Sequence, residues 1–113
     1  GMLETYFEEA HYRYEITCED LQQLIESLSR LRVVLMDKDA RIDFDAHIKK
    51  ASKPSEEYLE LKGSMVRSLG EIEEIFKLLQ DKGFEGSGTI RVSSAESLED
   101  DLNVIGVKGW KRV

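Results

Sequence analysis

The chain has 113 residues, 41% of them hydrophobic and 35% charged, with a formal net charge of -7 at pH 7. That length supports one folding unit with a modest core. The acidic balance repels phosphate backbones and anionic lipid, which argues against nucleic-acid and membrane partners and leaves a protein partner open. Cys18 is the single cysteine, so no intrachain disulfide can form and the cytoplasm, a reducing compartment, is the expected location. No apolar run reaches the roughly 18 residues a membrane helix needs, and the N-terminus lacks a secretory-signal pattern. Gly1 ahead of Met2 reads as a remnant of an expression tag.

From the N-terminus, Leu3, Phe7, Ala10, Tyr14, Thr17, Leu21, Leu24, Leu28, Leu31 and Leu35 recur alternately four and three residues apart. That spacing is the seam of a coiled coil or bundle helix, and it predicts a helix over 3–36. Tyr6, Cys18, Ile25 and Val34 widen the stripe beyond what a two-stranded zipper needs. Residues 37–54 read as a connector. Within it Ala40, Ile42, Phe44, Ala46 and Ile48 alternate with Arg41, Asp43, Asp45 and His47, as in a half-buried strand. A short helix capped by Asp43 and ending before Pro54 fits the same residues, and the sequence leaves the two open.

A second helix is expected over 55–82, with Tyr58, Leu61, Met65, Ser68, Ile72, Ile75 and Leu79 as its seam and Leu69, Phe76 and Leu78 beside it. Gly83 suits the C-terminal stop. Gly63 and Gly70, seven apart, share a heptad position inside this helix. Gly83, Gly86, Ser87 and Gly88 then read as a flexible joint, opening a tail over 83–113. The tail should hold a short strand at 89–93, a short helix capped by Ser94 or Ser97 with Leu98, Leu102 and Ile105 inward, and a second strand around Trp110.

The fold class expected from these periods is mainly α: one domain, a long antiparallel helical hairpin resembling a bundle or coiled coil, with a small α+β appendage at its C-terminus. Stripes this broad call for a second copy to cover them. Phe7, Tyr14, Leu21, Leu24, Leu28, Leu31, Met65, Ile72 and Phe76 are the expected oligomer interface, and Trp110 is the candidate contact to an unknown protein partner.

Sites of chemistry are sparse. Glu8 and His11 form an E-x-x-H pair with Glu15 a turn on, the kind of set that di-iron bundles use in duplicate; one copy beside the seam reads more simply as solvated acids around a histidine. Asp37, Asp39, Asp43, Asp45 and His47 are an acidic patch, but Ile42 and Ile48 stand where a calcium loop starting at Asp37 needs glycine and glutamate. The glycines after Lys82 follow a helix and lack the G-K-[ST] of a phosphate loop. Cys18 reads as a small buried hydrophobe rather than a nucleophile. Lys108, Lys111 and Arg112 around Trp110 have a composition used on single-stranded nucleic acid, yet an aromatic anchoring the tail onto the bundle is the better reading of them. No cofactor is expected. The leading functional reading is a non-enzymatic protein-interaction or oligomerisation module; the alternative is a carboxylate and histidine metal site in a helical bundle.

Overall fold

Residues 12–18 alternate Tyr12, Tyr14, Ile16 and Cys18 with Arg13, Glu15 and Thr17, and a period of two puts the first set on one face of a strand. The structure, a computed structural model, describes residues 12–50, 58–64 and 69–113. Its elements are β1 (Tyr12–Cys18), α1 (Leu21–Asp37), β2 (Ala40–Lys50), β3 (Tyr58–Ser64), α2 (Leu69–Asp81), β4 (Phe84–Ser94), α3 (Glu99–Val104) and β5 (Trp110–Arg112). The strands form one sheet in the order β3-β2-β4-β1-β5. Every neighbouring pair is antiparallel. β1 and β2 therefore run the same way with β4 between them, and β3 and β4 run the same way with β2 between them. The result is two interlocked split βαβ units.

Both crossover helices lie on one face of the sheet. The register sets Phe44 beside Ile90, Ile42 beside Val92 and Ala46 beside Gly88, so one face is apolar across its central strands. Onto it α1 turns Leu21, Leu24, Leu28 and Leu31, all at most 2% exposed; each contributes about 1.5–3 kcal/mol by leaving water. Asp20 starts this helix by accepting the Gln23 N–H at 2.7 Å, and Gln23 Oε1 accepts the Glu19 N–H at 2.9 Å, which satisfies donors that a helix start leaves open. Gly88 is required where α1 crosses β4. A Cβ there would stand 2.5 Å from the Asp45 carbonyl oxygen and 3.3 Å from Leu24 Cδ1.

α2 is seated by Phe76, which is fully buried and meets Phe44 edge to face. It ends at Asp81, with Gly83 at φ +82° in the left-handed turn into β4. Beyond β4, Leu98, Leu102 and Val107 close the core on the other side of α1, and the Tyr14 hydroxyl accepts the buried Leu98 N–H at 3.0 Å. β5 then pairs with β1, setting Trp110 beside Ile16. The Trp110 ring stands edge-on to Tyr14 at 5.8 Å, and its Nε1–H donates to Asn103 Oδ1 at 3.1 Å.

The mainly α hairpin is thus overturned. This is a sheet-rich α+β fold and neither a helical bundle nor a coiled coil. Of the helix expected over 3–36, residues 12–18 are a strand and only Leu21–Asp37 is helical. Of the helix expected over 55–82, residues 58–64 are a strand and Leu69–Asp81 is helical. Gly63 and Gly70 consequently share no helical stripe: Gly63 pairs with Phe44 in the sheet, while Gly70 is in α2. The connector resolves to strand β2. The glycine joint is also corrected, since Gly86 and Gly88 lie within β4, the central strand of the sheet. The segment expected as an appendage holds the middle of the fold, because removing it would separate β1 from β2. The parts of the expected helices and connector at 3–11, 51–57 and 65–68 lie outside the described residues.

Candidate functional site

The residues proposed as an oligomer interface are mostly occupied within the chain itself. Tyr14, Leu21, Leu24, Leu28, Leu31 and Phe76 belong to the core, Ile72 packs partly buried against it, and Phe7 and Met65 lie outside the described residues. Since sheet and helices cover these stripes mutually, their breadth no longer calls for a second copy. Trp110 is partly buried against Tyr14.

Among the described residues the metal candidates do not gather. Glu15 is on the open face of β1 with Lys111 Nζ 3.7 Å from its carboxylate, and Glu8 and His11 lie outside the described residues. Asp43, Asp45 and His47 line the open face of β2, where Arg91 Nη2 holds Asp45 at 2.7 Å. Among the described residues no group of three or more His, Cys, Asp or Glu side chains could hold a metal ion. Cys18 is buried, with its thiol 3.9 Å from the Ser27 hydroxyl. Burial pushes that thiol above its ordinary pKa of 9.0, the Ser27 hydrogen bond partly offsets the rise, and the Asp20 carboxylate adds to it. No helix among the described residues is long and apolar enough to cross a membrane.

The open face of the sheet is polar and carries the ion pairs of Asp45 with Arg91 and Glu15 with Lys111, and one of its rows holds a serine, a histidine and an acid. Register puts Ser87, His47 and Glu60 side by side across β4, β2 and β3, beside a cleft of about 330 Å³. His47 Nδ1 lies 3.4 Å from Glu60 Oε1. A serine hydrolase would need Ser87 bonded to His47 and the base shielded from water. Among the described residues no hydrogen bond joins Ser87 to His47. The His47 and Glu60 side chains are 59% and 57% exposed, as on any solvated strand face.

The remaining feature is apolar. Ile75 and Leu78 are 49% and 55% exposed on α2. Their direction follows from two contacts. Glu73 reaches Arg32 on α1 at 2.7 Å, which marks the side of α2 facing α1, and Phe76 on Phe44 marks the side facing the sheet. At 3.6 residues per turn, Ile75 and Leu78 lie about 200° and 140° around the helix from Glu73, on the flank turned away from α1, with Ile75 about 100° from Phe76 and facing sideways and Leu78 about 160° from Phe76, at the rim of the flank farther from the sheet. Because Leu21 and Leu24 place α1 over Gly86 and Gly88 of β4, and α2 stands over Phe44 of β2, that flank looks out over β3.

β3 itself is the end strand of the sheet among the described residues. The opposite edge is treated differently: β5 has three residues, Val113 N–H donates to the Arg13 carbonyl at 2.9 Å, and Gln23 Nε2 donates to the Thr17 carbonyl at 3.2 Å. Backbone groups along β1 are thereby satisfied. At the β3 edge a seven-residue strand runs below two exposed aliphatic side chains, the combination that accepts another extended chain. In the sequence Leu78 stands beside a helical seam and Ile75 on it; the signal for the strand below is the alternation of Leu59 and Leu61 with Glu60 and Lys62. No protein-family model matches this chain, and neither does a curated protein or a solved structure.

Proposed function

We propose that the protein is a non-enzymatic protein-interaction module, and that it binds other chains along the flank formed by β3 and α2. The observation that carries this reading is the pair Ile75 and Leu78, half exposed and one turn apart on the flank of α2 next to β3, the end strand among the described residues. Neighbouring aliphatic side chains left in water are what an interface core requires, and the strand edge below supplies directional backbone hydrogen bonds. The chain's negative balance suits a protein partner better than a nucleic acid or an anionic membrane. A reducing compartment such as the cytoplasm fits the unpaired, buried Cys18.

Site-specific photo-crosslinking in the cells that make the protein tests it. A photoreactive residue in place of Leu78 should give discrete protein adducts, whereas one in place of Thr89, on the open sheet face, should give few. Equal adducts at both positions, or none at Leu78, would overturn the reading.

A further inference from the structure

We infer that the chain seated on this flank is a second copy of the same protein, with β3 pairing antiparallel to β3 about a two-fold axis at Leu61. The inference rests on the reading of the β3 and α2 flank as a protein-binding surface and names its occupant. Glu60 and Lys62 hold register positions on the open face, opposite His47 and Asp45, while Leu61 holds the helix-side position opposite Ala46.

A two-fold pairing of identical strands must keep like faces together, because a slip of one residue would turn each core position toward the solvent side of its neighbour. The axis must then pass through a residue. Centred on Glu60, the pairing sets Glu60 against its own copy; centred on Lys62, it sets Lys62 against its own copy. Both put like charges directly opposite, which is destabilising. Centred on Leu61, it sets Glu60 of each chain against Lys62 of the other and Leu61 against Leu61. The longest overlap puts the axis at one of the three central residues of β3, Glu60, Leu61 or Lys62, and among these three charge selects Leu61. A lysine on an end strand commonly blunts indiscriminate pairing, and here it admits a strand that presents glutamate at the matching position.

The apolar side is consistent with the same axis. Each β2 would stand three strand spacings from its mate, about 14 Å, and the two α2 helices above them would turn their outward flanks toward one another. Packed helices approach to about 8–10 Å, so the space between the flanks is of a size that Ile75 from both chains can occupy, with Leu78 closing it on the side away from the sheet. Their present exposure of 49% and 55% would fall on pairing, and one sheet would run unbroken through both copies.

Sedimentation velocity of the purified full chain over a range of concentrations tests this. The wild type should move from the mass of one 13.0 kDa chain to that of two. Glu60→Lys and Lys62→Glu should each weaken dimerisation by about tenfold or more, since each replaces both cross-pairs by repulsion, and the combined reversal should restore it to within about threefold. Circular dichroism checks that the variants remain folded. Where a charge reversal fails to fold, Ile75→Ser with Leu78→Ser should show the same loss of dimer from the helix side. A chain monomeric at all concentrations, a dimer indifferent to the single reversals, or a double reversal that does not recover would overturn the inference. If adducts to other proteins still form at position 78 while the purified chain stays monomeric, only the second copy is overturned and the protein-binding reading stands; if neither occurs, both fall.

Discussion

Phe44 and Phe76 meet edge to face, with ring centroids 5.8 Å apart and an interplanar angle of 77°, and this contact holds α2 on the sheet. Phe76 is fully buried, and α2 must stay in place for Ile75 and Leu78 to stand over β3. Phe76→Ala should therefore cost about 3–5 kcal/mol in unfolding free energy by urea denaturation, with Phe76→Leu costing appreciably less. The same substitution should weaken any association through the β3 flank, whereas Val104→Ser, at a residue 85% exposed beyond the core, should change neither.

Two glycines should respond to alanine with opposite signs. Gly88→Ala would drive a Cβ to within 2.5 Å of the Asp45 carbonyl in the adjoining strand, and backbone there can yield only by distorting the sheet beneath α1, at a cost of about 1–3 kcal/mol. Gly70→Ala meets nothing within 4 Å and should stabilise α2 by up to about 1 kcal/mol. Thermal unfolding of the two variants beside the wild type measures both.

Cys18 makes alkaline stability fall. Its thiol titrates above 9.0 in the folded protein because burial disfavours the thiolate. Below that value both states hold the proton, and the group has no effect on stability. As the pH rises past 9, the unfolded chain ionises first and is favoured, so unfolding free energy decreases until the folded pKa is reached. Cys18→Ala should remove that part of the slope in denaturation curves recorded above pH 9. Below pH 9 the native thiol should also resist alkylation in the absence of denaturant.

Parts of this fold are legible in the sequence, and the rest is obscured by a coincidence of periods. The strand at 89–93, the inward Leu98 and Leu102, the turn at Gly83 and a final strand around Trp110 can be read locally, whereas Ala40–Ile48 fits a strand and a short helix alike until its neighbours in the sheet are known. In the first stretch, a heptad template passes through Tyr14, Leu21, Leu24, Leu28 and Leu31, yet steps over Ile16. Tyr14, Ile16 and Cys18 are the strand's own period of two, and Asp20 with Gln23 is the start signal that separates strand from helix. The same happens at Tyr58 and Leu61, where Leu59 is the residue left out and Gly63 is the residue least suited to a helix. Gly86 and Gly88 look like a flexible joint until α1 is known to cross them. The β3 flank was not legible at all, because an end strand and the helix flank above it come together only through the order in which the strands assemble.

Amide hydrogen exchange, read residue by residue in the purified protein at low and at high concentration, is the most direct test that β3 is where this chain meets another. Backbone amides at an unpaired strand edge exchange readily, and pairing slows them. Among residues 58–64 the alternate amides that point away from β2 should gain protection as concentration rises, while those of 89–93 and 110–112 stay as they were. Protection gained in those other strands instead, or exchange unchanged throughout the chain at concentrations approaching millimolar, would contradict the account.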